Sequence, residues 1–177
     1  AEISPFQSLC QCNAIVDQSA PQIQFAYFAQ PKKPFQADFE TYTIASAPDA
    51  AKPILEASLK GYGFVPNLYA AMAEAPAILE GYTTLSNIFG KTSLSETERQ
   101  IILMTNNRMN GCKYCMAAHT TLSQMAGVPE DVITALRTGS SIADPKLEAL
   151  RKFAIVINES RGWPSDAQVE AFLTAGY

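Results

Sequence analysis

From residue 48 onward, the boundaries written into this chain are helix boundaries. Pro48-Asp49-Ala50-Ala51-Lys52-Pro53 opens a segment running to about Lys60, with Gly61 as its stop, and Pro76 opens another that reaches about Gly90. Ser95 with Glu98 three residues later is a capping box for a helix to about Met109. Asn110-Gly111, Gly127 and Gly139 are further stops, while Pro129, Asp144-Pro145 and Gly162-Trp163-Pro164-Ser165 are restarts, the last leading into Asp166 to about Thr174. Between these marks the apolar residues recur at three and four. Ile78, Leu79, Tyr82, Leu85, Ile88 and Phe89 make one stripe, and Leu147, Leu150, Phe153, Ala154 and Ile157 make another. No run alternates as a half-buried strand does, and no unit repeats at a fixed period of roughly 20 to 50 residues. The expectation is an all-α domain.

Residues 1–37 depart from this pattern. They hold few charges, several Gln and Pro, and the apolar clusters Ala14-Ile15-Val16 and Phe25-Ala26-Tyr27-Phe28 without a sustained helical period. They are expected to form an extension, loosely ordered or docked on a neighbouring surface, ahead of a helical domain spanning 38–177. Cys10 and Cys12, in C-x-C spacing with no histidine nearby, are read as incidental thiols.

Composition narrows the function. A chain of 177 residues with 47% hydrophobic and 17% charged side chains suits one core, and a net charge of −4 gives no electrostatic reason to expect nucleic acid. No stretch approaches the roughly 18 uninterrupted apolar residues of a membrane span. Four cysteines are too few for a disulfide-stapled scaffold, so a reducing, cytoplasmic setting is expected. The chain begins at Ala1 rather than Met, which leaves room for a removed targeting segment.

The chemistry concentrates in Asn110-Gly111-Cys112-Lys113-Tyr114-Cys115-Met116-Ala117-Ala118-His119. The two thiols stand three apart, and the single histidine of the chain follows the second by four, so Cys112, Cys115 and His119 share one helical face. Asn110-Gly111 leaves Cys112 near the first turn of the new helix, where unpaired N–H groups and the positive dipole end favour a thiolate. His119 adds a second acidifying neighbour when protonated and a proton acceptor when neutral. Lowering a thiol pKa from about 8.5 to about 6.5 raises the thiolate fraction at pH 7 roughly 25-fold, but the weaker nucleophile returns roughly 8-fold. A catalyst therefore also needs a proton for the leaving group, commonly worth about 10² to 10⁴, and His119 is the candidate donor. C-x-x-C is also half a zinc site, but no second pair completes it. A buried structural pair is the other bland reading. A thioredoxin fold would need βαβ patterning that is absent.

The run Ser95-Glu96-Thr97-Glu98-Arg99-Gln100-Ile101-Ile102-Leu103, followed by Asn110-Gly111-Cys112-x-x-Cys115-x-x-x-His119, resembles the core of the alkylhydroperoxidase D-like, or carboxymuconolactone decarboxylase, family. Gly63-Phe64-Val65-Pro66-Asn67-Leu68 upstream and Gly127-Val128-Pro129 downstream extend the likeness over roughly residues 40 to 177. The resemblance implies an all-helical fold with the C-x-x-C motif at the N-terminus of a central helix, and a homo-oligomer. It implies Cys115 as the peroxidatic thiol and Cys112 as the resolving one. The family pattern has a glutamate of the proton relay twelve residues before the first cysteine, where this chain has Gln100. An amide orients a neighbour but neither donates nor accepts a proton near neutral pH. Glu98 lies about 200° around the helix from Gln100, and Glu96 shares its face but sits about 6 Å further along the axis. A relay reduced to His119, Gln100 and Tyr114 or a water leaves thiol–disulfide exchange intact. Longer relatives continue past the last residues here with further helices.

Three functions follow. The first is a thiol-dependent peroxidase in which Cys115 attacks a hydroperoxide, Cys112 closes the disulfide, and a thioredoxin-like or lipoyl dithiol reduces it, with no organic cofactor or metal required. The second is a disulfide reductase or redox adaptor, which the Gln100 substitution favours. The third is a non-catalytic helical oligomer or zinc-binding module. Lactone decarboxylation is a weaker fourth, because a lone histidine offers little cationic surface. The aromatics Phe64, Tyr69, Tyr82 and Phe89 are candidates to line a pocket over the thiols or, more commonly for such residues, to pack in the core.

Overall fold

The computed structural model describes residues 40–177, so the expected extension at 1–37, with Cys10 and Cys12, lies outside the described residues. Thr41–Tyr177 form one unit. The described residues are helical throughout, without strands: α1 (Lys52–Tyr62), α2 (Asn67–Met72), α3 (Pro76–Gly90), α4 (Glu96–Met109), α5 (Lys113–Met125), α6 (Glu130–Thr138), α7 (Pro145–Glu159) and α8 (Asp166–Thr174). No helix among them is long and apolar enough to cross a membrane.

The capping chemistry sets these bounds. Ser95 Oγ accepts from the Glu98 N–H while the Glu98 carboxylate accepts from the Ser95 N–H, so the capping box is formed. Ser165 and Gln168 repeat the device on α8, and Asp144 accepts from the Leu147 N–H at the start of α7. One boundary differs from expectation. Gly61 lies inside α1, and the helix stops at Gly63, whose φ of 79° lets its N–H cap the Leu59 carbonyl.

Two cores form. In the larger, α4 supplies Ile101 and Met104, both fully buried, against Val132, Ile133, Ala135 and Leu136 of α6 and Leu150 of α7. The all-round apolar turn Ile101 to Met104 is buried only at its two ends, since Ile102 and Leu103 remain partly exposed. Helix α4 is thus the hub: α5, α6 and α7 all pack on it, and α8 closes on α7 through the stack of Phe153, Phe172 and Tyr177. The buried Glu148 carboxylate accepts from the Ile142 N–H at 2.9 Å and from Arg151 at 2.7 Å, holding the α6–α7 connection. The smaller core gathers Ala47, Ala51, Leu55, Ala73 and Leu79 around α1, α2 and α3.

The α3 stripe behaves differently from an ordinary core face. Only Leu79 is buried, whereas Ile78, Leu85 and Ile88 are 61%, 68% and 58% exposed. Among the described residues, this face of α3 is left open.

Candidate functional site

Helix α4 ends at Met109, and Gly111 takes φ 65°, the left-handed region in which a Cβ is strained. That turn carries the chain directly into α5 with Cys112 as its N-cap. Cys112 Sγ accepts from the Cys115 N–H at 3.2 Å, so it occupies the place that a serine or aspartate oxygen takes at other helix starts. The two cysteines are joined as a disulfide, with their Cα atoms 5.4 Å apart. Both are half-buried.

His119 lies one turn beyond Cys115 on the same face. Its Nδ1 is 2.9 Å from Gln100 Oε1, and Gln100 Nε2 donates to Glu96 Oε1 at 2.8 Å. This chain of contacts determines the histidine's tautomer. Hydrogen bonds from Gln100 first and Arg99 second hold Glu96 below the usual carboxylate range, so at neutral pH it only accepts. Gln100 must then turn its NH₂ toward Glu96 and its carbonyl toward His119, and a carbonyl has no proton to give. Nδ1 therefore carries the hydrogen and Nε2 carries the lone pair. Burial pushes the His119 pKa below its ordinary value, with Glu96 opposing, so the ring is neutral near pH 7. Of the two roles open to His119 from sequence, the acidifying cation gives way to the proton acceptor.

Gln100, 5% exposed, is the hinge of this arrangement, and fully buried Ser123 of α5 supports it by donating to Gln100 Oε1 at 3.4 Å. The expected members Cys112, Cys115, His119 and Gln100 are thus brought together across the α4–α5 contact. Glu96 joins them, although its axial distance argued against it. The glutamine side chain spans that distance. Ser123 has no signal in the sequence beyond standing one turn after His119 on α5. Tyr114, considered for the relay, accepts instead from the Leu68 N–H at 3.3 Å and ties α5 to the start of α2.

The aromatics divide. Tyr69 meets Tyr82 edge-on at 5.8 Å between centroids, and burial first, then Tyr62, raises the Tyr69 pKa well above its ordinary value. Tyr62 and Tyr69 line a cavity of about 530 Å³ with Ile54, Ser58, Thr83 and Asn87, between α1 and α3. Its lining contains neither cysteine. Phe64 is 60% exposed, neither in the core nor in that lining.

A hydrogen-bonded histidine beside a C-x-x-C pair on an all-helical scaffold is what the residues resembled from the start. Residues 73–155 match the carboxymuconolactone decarboxylase family. The match covers the smaller core's α3, all of α4 to α6, and most of α7, and so contains the whole candidate site. Two solved structures share the fold. One is described as an alkylhydroperoxidase AhpD core, an uncharacterised peroxidase-related protein from Ralstonia eutropha JMP134, with a TM-score of 0.70 and 21% identity over 78% of this chain and 75% of that one. The other is an uncharacterised peroxidase-related protein from Silicibacter sp. TM1040, with a TM-score of 0.67 and 24% identity over 85% of this chain and 80% of that one. No curated protein matches the chain. The expected fold and family resemblance are borne out.

Proposed function

We propose that this protein is a thiol-dependent peroxidase, an oxidoreductase that cycles Cys112 and Cys115 between dithiol and disulfide. The observation that carries the reading is a neutral, tautomer-locked His119 one turn from Cys115. In the reduced enzyme Nε2 takes the proton of Cys115, and the thiolate attacks the terminal peroxide oxygen. The O–O bond breaks, Cys115 becomes a sulfenic acid, and the proton returns from His119 to the departing alkoxide, giving an alcohol. Cys112, whose sulfur is held by an N–H at the helix start, condenses with the sulfenic acid and releases water. A dithiol of thioredoxin-like or lipoyl type then reduces the disulfide. Cys112 is the better leaving thiolate, so attack is directed at Cys115.

Thiol counting before and after one equivalent of hydroperoxide tests this. The reduced chain should lose two thiols from one peptide containing both cysteines, and Cys112→Ser should stop at a sulfenic acid on Cys115. A bridge between Cys10 and Cys12 in place of this one would overturn the assignment. Gln100 supports a second reading as a disulfide reductase or redox adaptor, since thiol exchange needs no proton relay. Rapid exchange with a model disulfide together with negligible turnover of hydroperoxide would select it.

We further propose a homo-oligomer, because Ile78, Leu85 and Ile88 stand exposed along one face of α3 among the described residues.

A further inference from the structure

Helices α4 and α5 run antiparallel: Gln100 meets His119, and seven residues on along α4 the Asn107 carbonyl accepts from the N–H of Cys112, seven residues back along α5. Asn107 therefore stands abreast of Cys112 as Gln100 stands abreast of His119. Seven residues turn an α-helix by about 700°, which brings Asn107 within about 20° of the direction of Gln100. Its Cβ points into the α4–α5 seam, whereas the neighbouring Asn106 turns to α7 and accepts from Asn158 at 3.2 Å.

The two amides differ in how they are paired. Gln100 is satisfied by Glu96 on one side and His119 on the other, but Asn107 Nδ2 is buried with no acceptor among the described residues. Buried polar groups are nearly always paired, and an exception beside a redox pair calls for a role. No solvent reaches this nitrogen, so the acceptor it serves has to lie inside the fold. In the disulfide, Cys112 Sγ is a weak, uncharged acceptor that already takes the Cys115 N–H at 3.2 Å. On reduction the same sulfur gains a full charge and attracts further donors.

We infer, on the dithiol–disulfide cycle proposed above, that Asn107 Nδ2 is the donor held for the Cys112 thiolate, bonding that sulfur in the reduced state and releasing it in the disulfide. When a thioredoxin-like or lipoyl dithiol attacks Cys115 Sγ, the S–S bond breaks and its electron pair passes to Cys112 Sγ, which takes the Asn107 N–H. The second thiol of the reductant then displaces Cys115 and closes its own disulfide, so two electrons and two protons move from reductant to enzyme. A donor that pairs in only one redox state favours that state. Asn107 thus makes Cys112 the sulfur that leaves and eases reduction of the enzyme between turnovers.

The test is a glutathione redox titration of the full chain, wild type against Asn107→Leu, which keeps the side chain's size and removes its donor. For half reduction, Asn107→Leu should need an about 10-fold higher ratio of squared glutathione to glutathione disulfide, the worth of one hydrogen bond to a charged group. An unmoved midpoint overturns the inference, because an asparagine that only packs would destabilise both redox forms alike. A wild type without any dithiol–disulfide equilibrium at Cys112 and Cys115 overturns the cycle itself and the inference with it. Should leucine prevent folding, heteronuclear NMR of the wild type reads the same contact directly. The Asn107 side-chain amide protons should move downfield on reduction, and resonances that stay in place overturn the inference. Reduced Cys112→Ala should lack the downfield shift; its presence there would put the donor on Cys115 and equally overturn the assignment.

Discussion

Gln100 stands between two groups that constrain it in opposite senses, a carboxylate that can only accept and a ring nitrogen that can only donate to it. Gln100→Glu alone would therefore not restore a simple relay. It would place two carboxyl groups at the 2.8 Å now bridged by an amide, and like charges that close share one proton. The folded-state pKa of that pair would be raised, so the stability it carries is full below the ordinary glutamate value near 4.3 and is lost as pH rises through the raised one. We expect Gln100→Glu to melt lower at pH 8 than at pH 5, relative to wild type. Glu96→Gln/Gln100→Glu should recover the loss and turn over hydroperoxide faster than wild type; unchanged turnover in a well-folded double variant would argue that His119 alone delivers the proton. The depressed His119 pKa makes a separate prediction for rate. Peroxide reduction should fall only at pH values below the ordinary histidine value near 6.5, because the base is lost when the ring protonates. Glu96 raises that pKa, so Glu96→Gln should move the acid limb lower still, and a pH–rate profile of both proteins checks the direction.

At the scale of elements, α4 and α5 behave as one device with a turn in the middle. Asn107 O accepts from the Cys112 N–H at 2.9 Å and Arg108 O from the Gly111 N–H at 3.0 Å, so the end of α4 positions the first thiol of α5. Nothing lies within 4 Å of a Cβ built on Gly111, and Gly111→Ala should therefore cost only the left-handed strain, about 1 kcal/mol by denaturant melting. If the turn relaxes to relieve that strain, the Cys112 sulfur loses its N–H donor, and the disulfide should become harder to reduce at that leaving group. A reduction titration against glutathione reports this independently of stability.

For the molecule as a whole, the two cores differ in how completely they close. The α4-centred core buries its apolar residues within the chain, whereas α1 to α3 leave Ile78, Leu85 and Ile88 outward. A second copy covering this face would remove several large side chains from water, each worth roughly 1.5 to 3 kcal/mol. Light scattering should accordingly give a mass well above the 19.2 kDa of one chain, and Leu85→Glu should return it toward that value while leaving the melting of the α4 core intact. A mass of one chain for the wild type would remove the proposed assembly.

Helix starts and stops were legible along the chain because caps are local: Ser95, Asp144 and Ser165 satisfy orphan N–H groups within three residues, and no distant contact alters that need. The spacing of Cys112, Cys115 and His119 was legible for the same reason, since one helix carries all three. What lay beyond sequence was every fact that depends on reach between helices. The Glu96–Gln100–His119 chain exists because packing of α5 on α4 brings a ring nitrogen to an amide whose own length spans a full turn, and periodicity measures axial distance but not side-chain span. The α3 stripe shows the converse limit. Periodicity identifies an apolar face, but only the tertiary structure decides which of its residues another element covers: among the described residues Leu79 is buried and Tyr82 meets Tyr69, while Ile78, Leu85 and Ile88 stay exposed.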